Sequence, residues 1–216
     1  MRKRLGDMGT ELKRDSRMMP IDDEDEREER EERGLPDETA TKLRQARTIV
    51  IAGDMDKKVA ERVITDLIIM ENENPDEPID LFINSEGGDA DAGFAMYDMI
   101  KFVQPSVRTV CTGIVASAAT TVLLAADRKH RYALPSARVL IHQPSMAMRG
   151  RATEIEVSAT EMLKFRARCN ELIARETGQP IERVEKDTLR DYWMSATEAK
   201  NYGIIRKIVS NRSEFD

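Results

Sequence analysis

Val107-Arg-Thr-Val-Cys-Thr-Gly-Ile-Val-Ala-Ser-Ala-Ala-Thr-Thr-Val-Leu-Leu-Ala-Ala126 reads as two elements in succession. Val107 to Thr112 is a short β-rich run, Gly113 breaks it, and Ala116 to Ala126 is a helix of small and aliphatic residues. The same succession recurs upstream. Thr48 to Gly53 is an apolar run ending in glycine, read as a strand. Asp56 then caps a helix whose apolar stripe is Val59, Val63, Ile64, Leu67, Ile68 and Met70, stopped at Asn74-Pro75. Ile79 to Asn84 is the next strand. Glu86-Gly87-Gly88 breaks the chain sharply, and a helix runs from Ala90 to Val103. Strand, helix, strand, helix with short breaks predicts an α/β layered fold.

Downstream the pattern loosens. Tyr132–Leu134 and Arg138–Ile141 are short strands around Pro135, and Ile204–Val209 is a last strand. Ile181–Leu189 and Ser195–Tyr202 are short helices. Thr153–Glu176 is the longest helical segment, with apolar residues at Ile155, Ala159, Met162, Leu163, Cys169, Leu172 and Ile173, ended by Gly178 and Pro180. Its length is about 35 Å at the helical rise. That is long for a 216-residue chain, so it is expected to project and to meet another subunit along its apolar stripe.

Composition narrows the class. Hydrophobic residues make up 40% and charged residues 34%, a balance that fits a folded domain. Two cysteines, Cys111 and Cys169, are too few for a disulfide scaffold or a four-ligand zinc site. No metal or cofactor is expected. The net charge of −6 is unevenly spread: residues 1–20 carry +3, residues 21–40 carry −8, and the remainder sums to −1. Residues 1–40 therefore read as a charged, disordered arm, and 41–216 as the folded domain. The body has no basic patch for nucleic acid, and no apolar run long enough to span a membrane. The N-terminus lacks the features of a secretory signal. A cytoplasmic location is expected.

Three residues stand out for chemistry. Ser117 opens a helix of tiny residues directly after a strand, where free backbone N–H groups can stabilise an oxyanion. A serine at such a place is also a common helix cap. It is not in a G-x-S-x-G elbow. His142, in Val139-Leu-Ile-His-Gln-Pro144, sits where a strand delivers an imidazole to its end; a core histidine would read the same way. Asp191 follows a short helix and could orient a histidine or be an ordinary surface charge. The other histidine, His130, lies among charges in a turn and reads as a surface residue.

Taken together, the chain from Thr48 to Val209 resembles the proteolytic subunit of the Clp protease, ClpP. The matching stretches are Ile83-Asn-Ser-Glu-Gly-Gly88, Ala116-Ser117-Ala118, Leu134-Pro135, Arg138-Val-Leu-Ile-His-Gln-Pro144, Arg151-Ala-Thr-Glu-Ile-Glu156, Thr177-Gly-Gln179, Asp187-Thr-Leu-Arg-Asp191 and Met194-Ser-Ala-Thr-Glu-Ala199. The resemblance implies a crotonase-like fold of stacked ββα units with a long protruding interface helix. It implies a serine endopeptidase with Ser117 as nucleophile, His142 as general base and Asp191 as the acid that orients it. The backbone N–H groups of Gly88 and Ala118 would form the oxyanion hole. It further implies heptameric rings stacked into a tetradecamer, unfolded proteins or peptides as substrates, and an AAA+ unfoldase as partner.

The sequence departs from the family at several places. Glu86 stands where proline is usual, Ala118 where methionine is usual, and Leu189 where an acid often pairs across the rings. The loop Ser145-Met-Ala-Met-Arg-Gly150 has one glycine where the family has several. At the outer hydrophobic pocket, Phe82, Tyr132 and Leu134 fit, but Asp80 replaces an aromatic and Thr112 a methionine. An acid buried there would be costly, so docking to a standard unfoldase is expected to weaken or to use other contacts. The alternatives are a catalytically silent ring subunit and a crotonase-fold acyl-CoA enzyme. The second would not need a triad.

Overall fold

The computed structural model describes residues 37–215. The chain divides into the units Met1–Ala40 and Thr41–Asp216. Most of the charged arm expected over residues 1–40 lies outside the described residues.

The first described element is α1, Asp37–Gln45. The strands and helices then alternate as β1 (Thr48–Met55), α2 (Lys57–Glu73), β2 (Ile79–Gly88), α3 (Ala90–Phe102), β3 (Val107–Ala116) and α4 (Ala118–Leu123). After them come β4 (Arg131–Ala133), β5 (Arg138–Ile141), α5 (Ala152–Thr177), α6 (Ile181–Asp187), β6 (Tyr192–Ser195), α7 (Ala196–Tyr202) and β7 (Lys207–Ile208). The sheet order is β1-β2-β3-β4-β7, parallel throughout. β5 pairs with β3, and β6 runs antiparallel to β5.

Local chemistry explains the elements. The Asp56 carboxylate accepts from the Val59 N–H at 2.8 Å and starts α2. Ala60, Val63, Leu67 and Met70, at helical spacing, are buried on one face of α2. Of the stripe expected there, Ile68 points outward and is 42% exposed. The inward residues of the strands, Ile49, Ile51, Leu81, Ile83 and Val115, pack with these helices into one core. Burying each such side chain contributes about 1.5–3 kcal/mol. The opposite face carries a smaller cluster built on Val110, Tyr132 and Val209.

Two glycine breaks expected from sequence are instead strand interiors. β2 continues through Glu86-Gly87-Gly88, because both glycines take positive φ, 101° and 147°. β3 continues through Gly113 to Ala116. A Cβ at Gly113 would lie 2.3 Å from Asn84 Oδ1. That oxygen accepts from the Ile114 N–H at 3.0 Å, so an asparagine side chain replaces a ladder bond where the β2–β3 register shifts. On its edge away from β2, β3 thereby serves two further partners, β4 with its first half and β5 with its second.

Other boundaries also move. α4 is shorter than the Ala116–Ala126 helix expected, and the last strand shrinks to Lys207–Ile208. β6 had no counterpart in the sequence reading. α5 is longer than expected, 26 residues or about 39 Å. It buries side chains only toward its C-terminal end, at Asn170, Leu172, Ile173 and Thr177. Its N-terminal half carries exposed Ile155, Val157 and Leu163.

Candidate active site

Ser117 sits at the corner between β3 and α4 with φ 55° and ψ −125°. A non-glycine residue there stores strain of about 1–3 kcal/mol. Its neighbours hold the corner. The Ser117 N–H donates to Leu140 O at 3.2 Å, and the Thr120 hydroxyl donates to the same oxygen at 2.9 Å. The Ser117 hydroxyl caps no amide of α4. The common helix-cap reading of this serine therefore fails, and the hydroxyl is left for other work. Gly87 lies against it: a Cβ there would be 2.8 Å from Ser117 Cβ and 2.7 Å from Ala116 O.

Sheet register delivers the histidine and the acid. Ala116 pairs with Leu140, which brings the end of β5 alongside the serine corner. Ile141 pairs with Tyr192, so the next residue of each strand, His142 and Asp191, face one another. His142 Nδ1 lies 3.3 Å from Asp191 Oδ1. The acid is largely in water, its side chain 64% exposed, and the imidazole is half-buried.

Gln143 fastens this pair, a function the sequence reading did not give it. Its N–H donates to Thr188 O at 2.7 Å and its side-chain amide donates to Leu189 O at 3.1 Å. Both carbonyls belong to the segment leading into Asp191. Thr188 is fully buried, with its hydroxyl 2.9 Å from Asn170 Oδ1 on α5. The signal available in sequence was a donor-rich side chain directly after the candidate base.

Ser117, Ala118 and His142 line one small cavity with Phe94, Phe165 and Cys169. Phe94 and Phe165 meet edge-to-face, 5.4 Å between ring centres. Burial pushes the Cys169 thiol up to about 11, so it is a neutral wall of the cavity. A wider groove adjoins, lined by Gly88, Asp89, Pro144, Met146 and Phe165 among others. Gly88 is held by a close approach, since a Cβ there would lie 2.3 Å from Met55 O. The structure thus brings Ser117, Ala118 and His142 to one cavity, sets Asp191 behind the histidine, and leaves Gly88 on the adjoining wall. Among the described residues, no group of three or more His, Cys, Asp or Glu could hold a metal ion. No helix among them is long and apolar enough to cross a membrane.

A parallel α/β sheet with a strained serine corner that shares a cavity with an imidazole defines an α/β protein of the crotonase and ClpP type. The chain belongs to the Clp protease family, whose model, described as Clp protease, matches residues 30–212. It is 45% identical over 174 residues to the ATP-dependent Clp protease proteolytic subunit 2 of Treponema denticola, covering 81% of this chain and 87% of that one. It is 40% identical over 195 residues to the proteolytic subunit 3 of Rhizobium etli, covering 90% of this chain and 100% of that one. Among solved structures, a ClpP1 mutant from Listeria monocytogenes superposes with a TM-score of 0.77 at 44% identity, over 82% of this chain and 99% of that chain.

Proposed function

We propose that this chain is a serine endopeptidase of the Clp type that hydrolyses peptide bonds of unfolded proteins and peptides. The observation that carries the proposal is the shared cavity of Ser117 and His142, with Asp191 3.3 Å behind the imidazole. Asp191 faces Nδ1, which leaves Nε2 to take the serine proton. As Ser117 Oγ attacks the scissile carbonyl carbon, that proton passes to Nε2, and the new oxyanion is met by the N–H groups of Gly88 and Ala118. The imidazolium then protonates the leaving amine, and water releases the acyl group by the reverse path.

The peptidase domain is residues 41–216, and residues 1–40 are a separate charged arm in the sequence. The exposed apolar residues of α5, together with the family, support self-association into heptameric rings and a tetradecamer enclosing the active sites. An AAA+ unfoldase would deliver folded substrates, and the cytoplasm is the location that fits. Peptide hydrolysis itself needs no ATP.

The test is hydrolysis of a short fluorogenic peptide by the purified full chain beside Ser117→Ala. Turnover by the first and none by the second supports the proposal. No turnover by either, with assembled rings seen by sedimentation, would leave a silent ring subunit.

A further inference from the structure

The outer face of the sheet carries an apolar cluster to which, among the described residues, no α-helix contributes a side chain. Val110, Tyr132 and Val209 are its buried members, flanked by Phe82 and Leu134. The chain covers it with its own C-terminal residues. Phe215 stacks on Tyr132 at 4.8 Å between ring centres, with the Arg108 guanidinium 5.3 Å from its own ring. The turn that places Phe215 is Arg212–Glu214. Lys207 Nζ donates to Glu214 O at 2.7 Å, and the Ser210 and Asn211 N–H groups donate to Glu214 Oε1 at 3.0 and 2.9 Å; beyond these local bonds, Arg212 reaches Asp80 and, at 3.5 Å, the Thr48 hydroxyl.

Asp80 sets how firmly that cover is held. Its carboxylate is nearly fully buried beneath the cover, between Arg108 Nε at 2.6 Å and Arg212 at 2.8 Å. The expected cost of a buried acid at this face is therefore met by two guanidinium groups. Only one of them moves with the tail. If Arg212 leaves, Arg108 stays on Asp80, so lifting the cover strands no unpaired buried charge. The Arg212 side chain is itself 64% exposed, and an ion pair with one partner in water is weak and screened by salt. What the open state loses is chiefly the seat of one aromatic ring.

We propose that Arg212–Phe215 is a releasable cover. Phe215 occupies in cis the apolar seat that, once the cover lifts, takes an apolar side chain from a loop of a partner unfoldase. The inference rests on the reading above that an AAA+ unfoldase engages Phe82, Tyr132 and Leu134. The tail and the partner then compete for one site, and the affinity measured for the partner is reduced by the fraction of time the cover is open.

The test uses the full chain, a chain ending at Asn211, and Phe215→Ala. Three quantities are read on each: hydrogen exchange over Val110–Thr112 and Tyr132–Leu134, ATP-dependent binding to a purified Clp-type unfoldase, and basal hydrolysis of the fluorogenic peptide. Expected are faster exchange in both variants, unchanged basal hydrolysis, and unfoldase binding about 10- to 100-fold tighter than for the full chain. In the full chain, raising salt should narrow that gap. Unchanged exchange would overturn the cover itself. Faster exchange with unchanged or weaker binding would overturn the competition. If no form binds the unfoldase while exchange still rises, the docking reading fails and this proposal with it, whereas peptide hydrolysis reports separately on the active site.

Discussion

Replacing Gly87 by alanine tests whether the serine corner is built as described. Gly87 has φ 101°, where an L side chain is strained by about 1–3 kcal/mol. Its Cβ would also sit 2.7 Å from Ala116 O, 2.8 Å from Ser117 Cβ and 3.0 Å from Ala118 N. Two of those three atoms are backbone and cannot swing aside. Overpacking of this kind adds about 1–3 kcal/mol, for a total of about 2–6 kcal/mol. Gly53 supplies the control. It too has a positive φ, 75°, but a Cβ there meets nothing within 4 Å. Gly53→Ala should show the strain alone. The difference between the two variants, about 1–3 kcal/mol, isolates the contact with Ser117. Part of that contact will be relieved by moving the serine, and a shift of about 1 Å at a reacting group costs about 10²-fold in rate. The assay is urea unfolding at matched protomer concentration, beside fluorogenic peptide hydrolysis by the folded fraction. The reasoning is refuted if Gly87→Ala hydrolyses peptide within a few-fold of wild type and unfolds with Gly53→Ala.

Four further outcomes follow from the same geometry. Ser117→Gly should abolish hydrolysis yet raise stability by about 1 kcal/mol, because glycine relieves the φ of 55°; equal or lower stability by urea unfolding would contradict the strain. Glu176→Gln should destabilise by about 3 kcal/mol, because the buried Arg131 guanidinium loses its ionic partner. Burial pushes the Glu176 carboxyl up, but bonds from Tyr97 and Arg131 and the charge of Lys101 outweigh it and hold the carboxyl below its usual value. Its stabilisation is thus present above the ordinary carboxylate range, about 4.3, and is lost as pH falls through the lower folded value. Acid unfolding of Glu176→Gln should lack that component. Burial pushes the Cys169 and Cys111 thiols up to about 11 and about 12, so at pH 8 Cys169 should alkylate about 10²-fold and Cys111 about 10³-fold more slowly than in urea, read by mass spectrometry. Ala118→Met should preserve hydrolysis, since the oxyanion donor proposed at this position is the amide and not the side chain, but shift preference toward smaller residues before the scissile bond, scored on a peptide panel.

What could be read from the amino-acid order was whatever depends on neighbours along the chain. Asp56 announces α2 because a carboxylate beside free N–H groups is a local arrangement. The excess length of the segment ending at Glu176 announces the projecting α5 in the same way. Gly113 and Gly87 misled for the opposite reason. A glycine that ends an element and a glycine that lets another group approach look identical in sequence. Only the partner distinguishes them: the Asn84 amide at Gly113, and the serine corner at Gly87. β6 was invisible because four residues between two helices have no period of their own; their strand exists through pairing with β5. The candidate site inherits this division. Ser117, His142 and Asp191 were legible as residue types in recognised stretches, but their approach is the work of β3 changing partners at Gly113. If β3 stopped there, as its glycine suggests, no second half would remain to pair with β5. The ladder that brings His142 to Ser117, and through β6 brings Asp191 to His142, would have no starting strand.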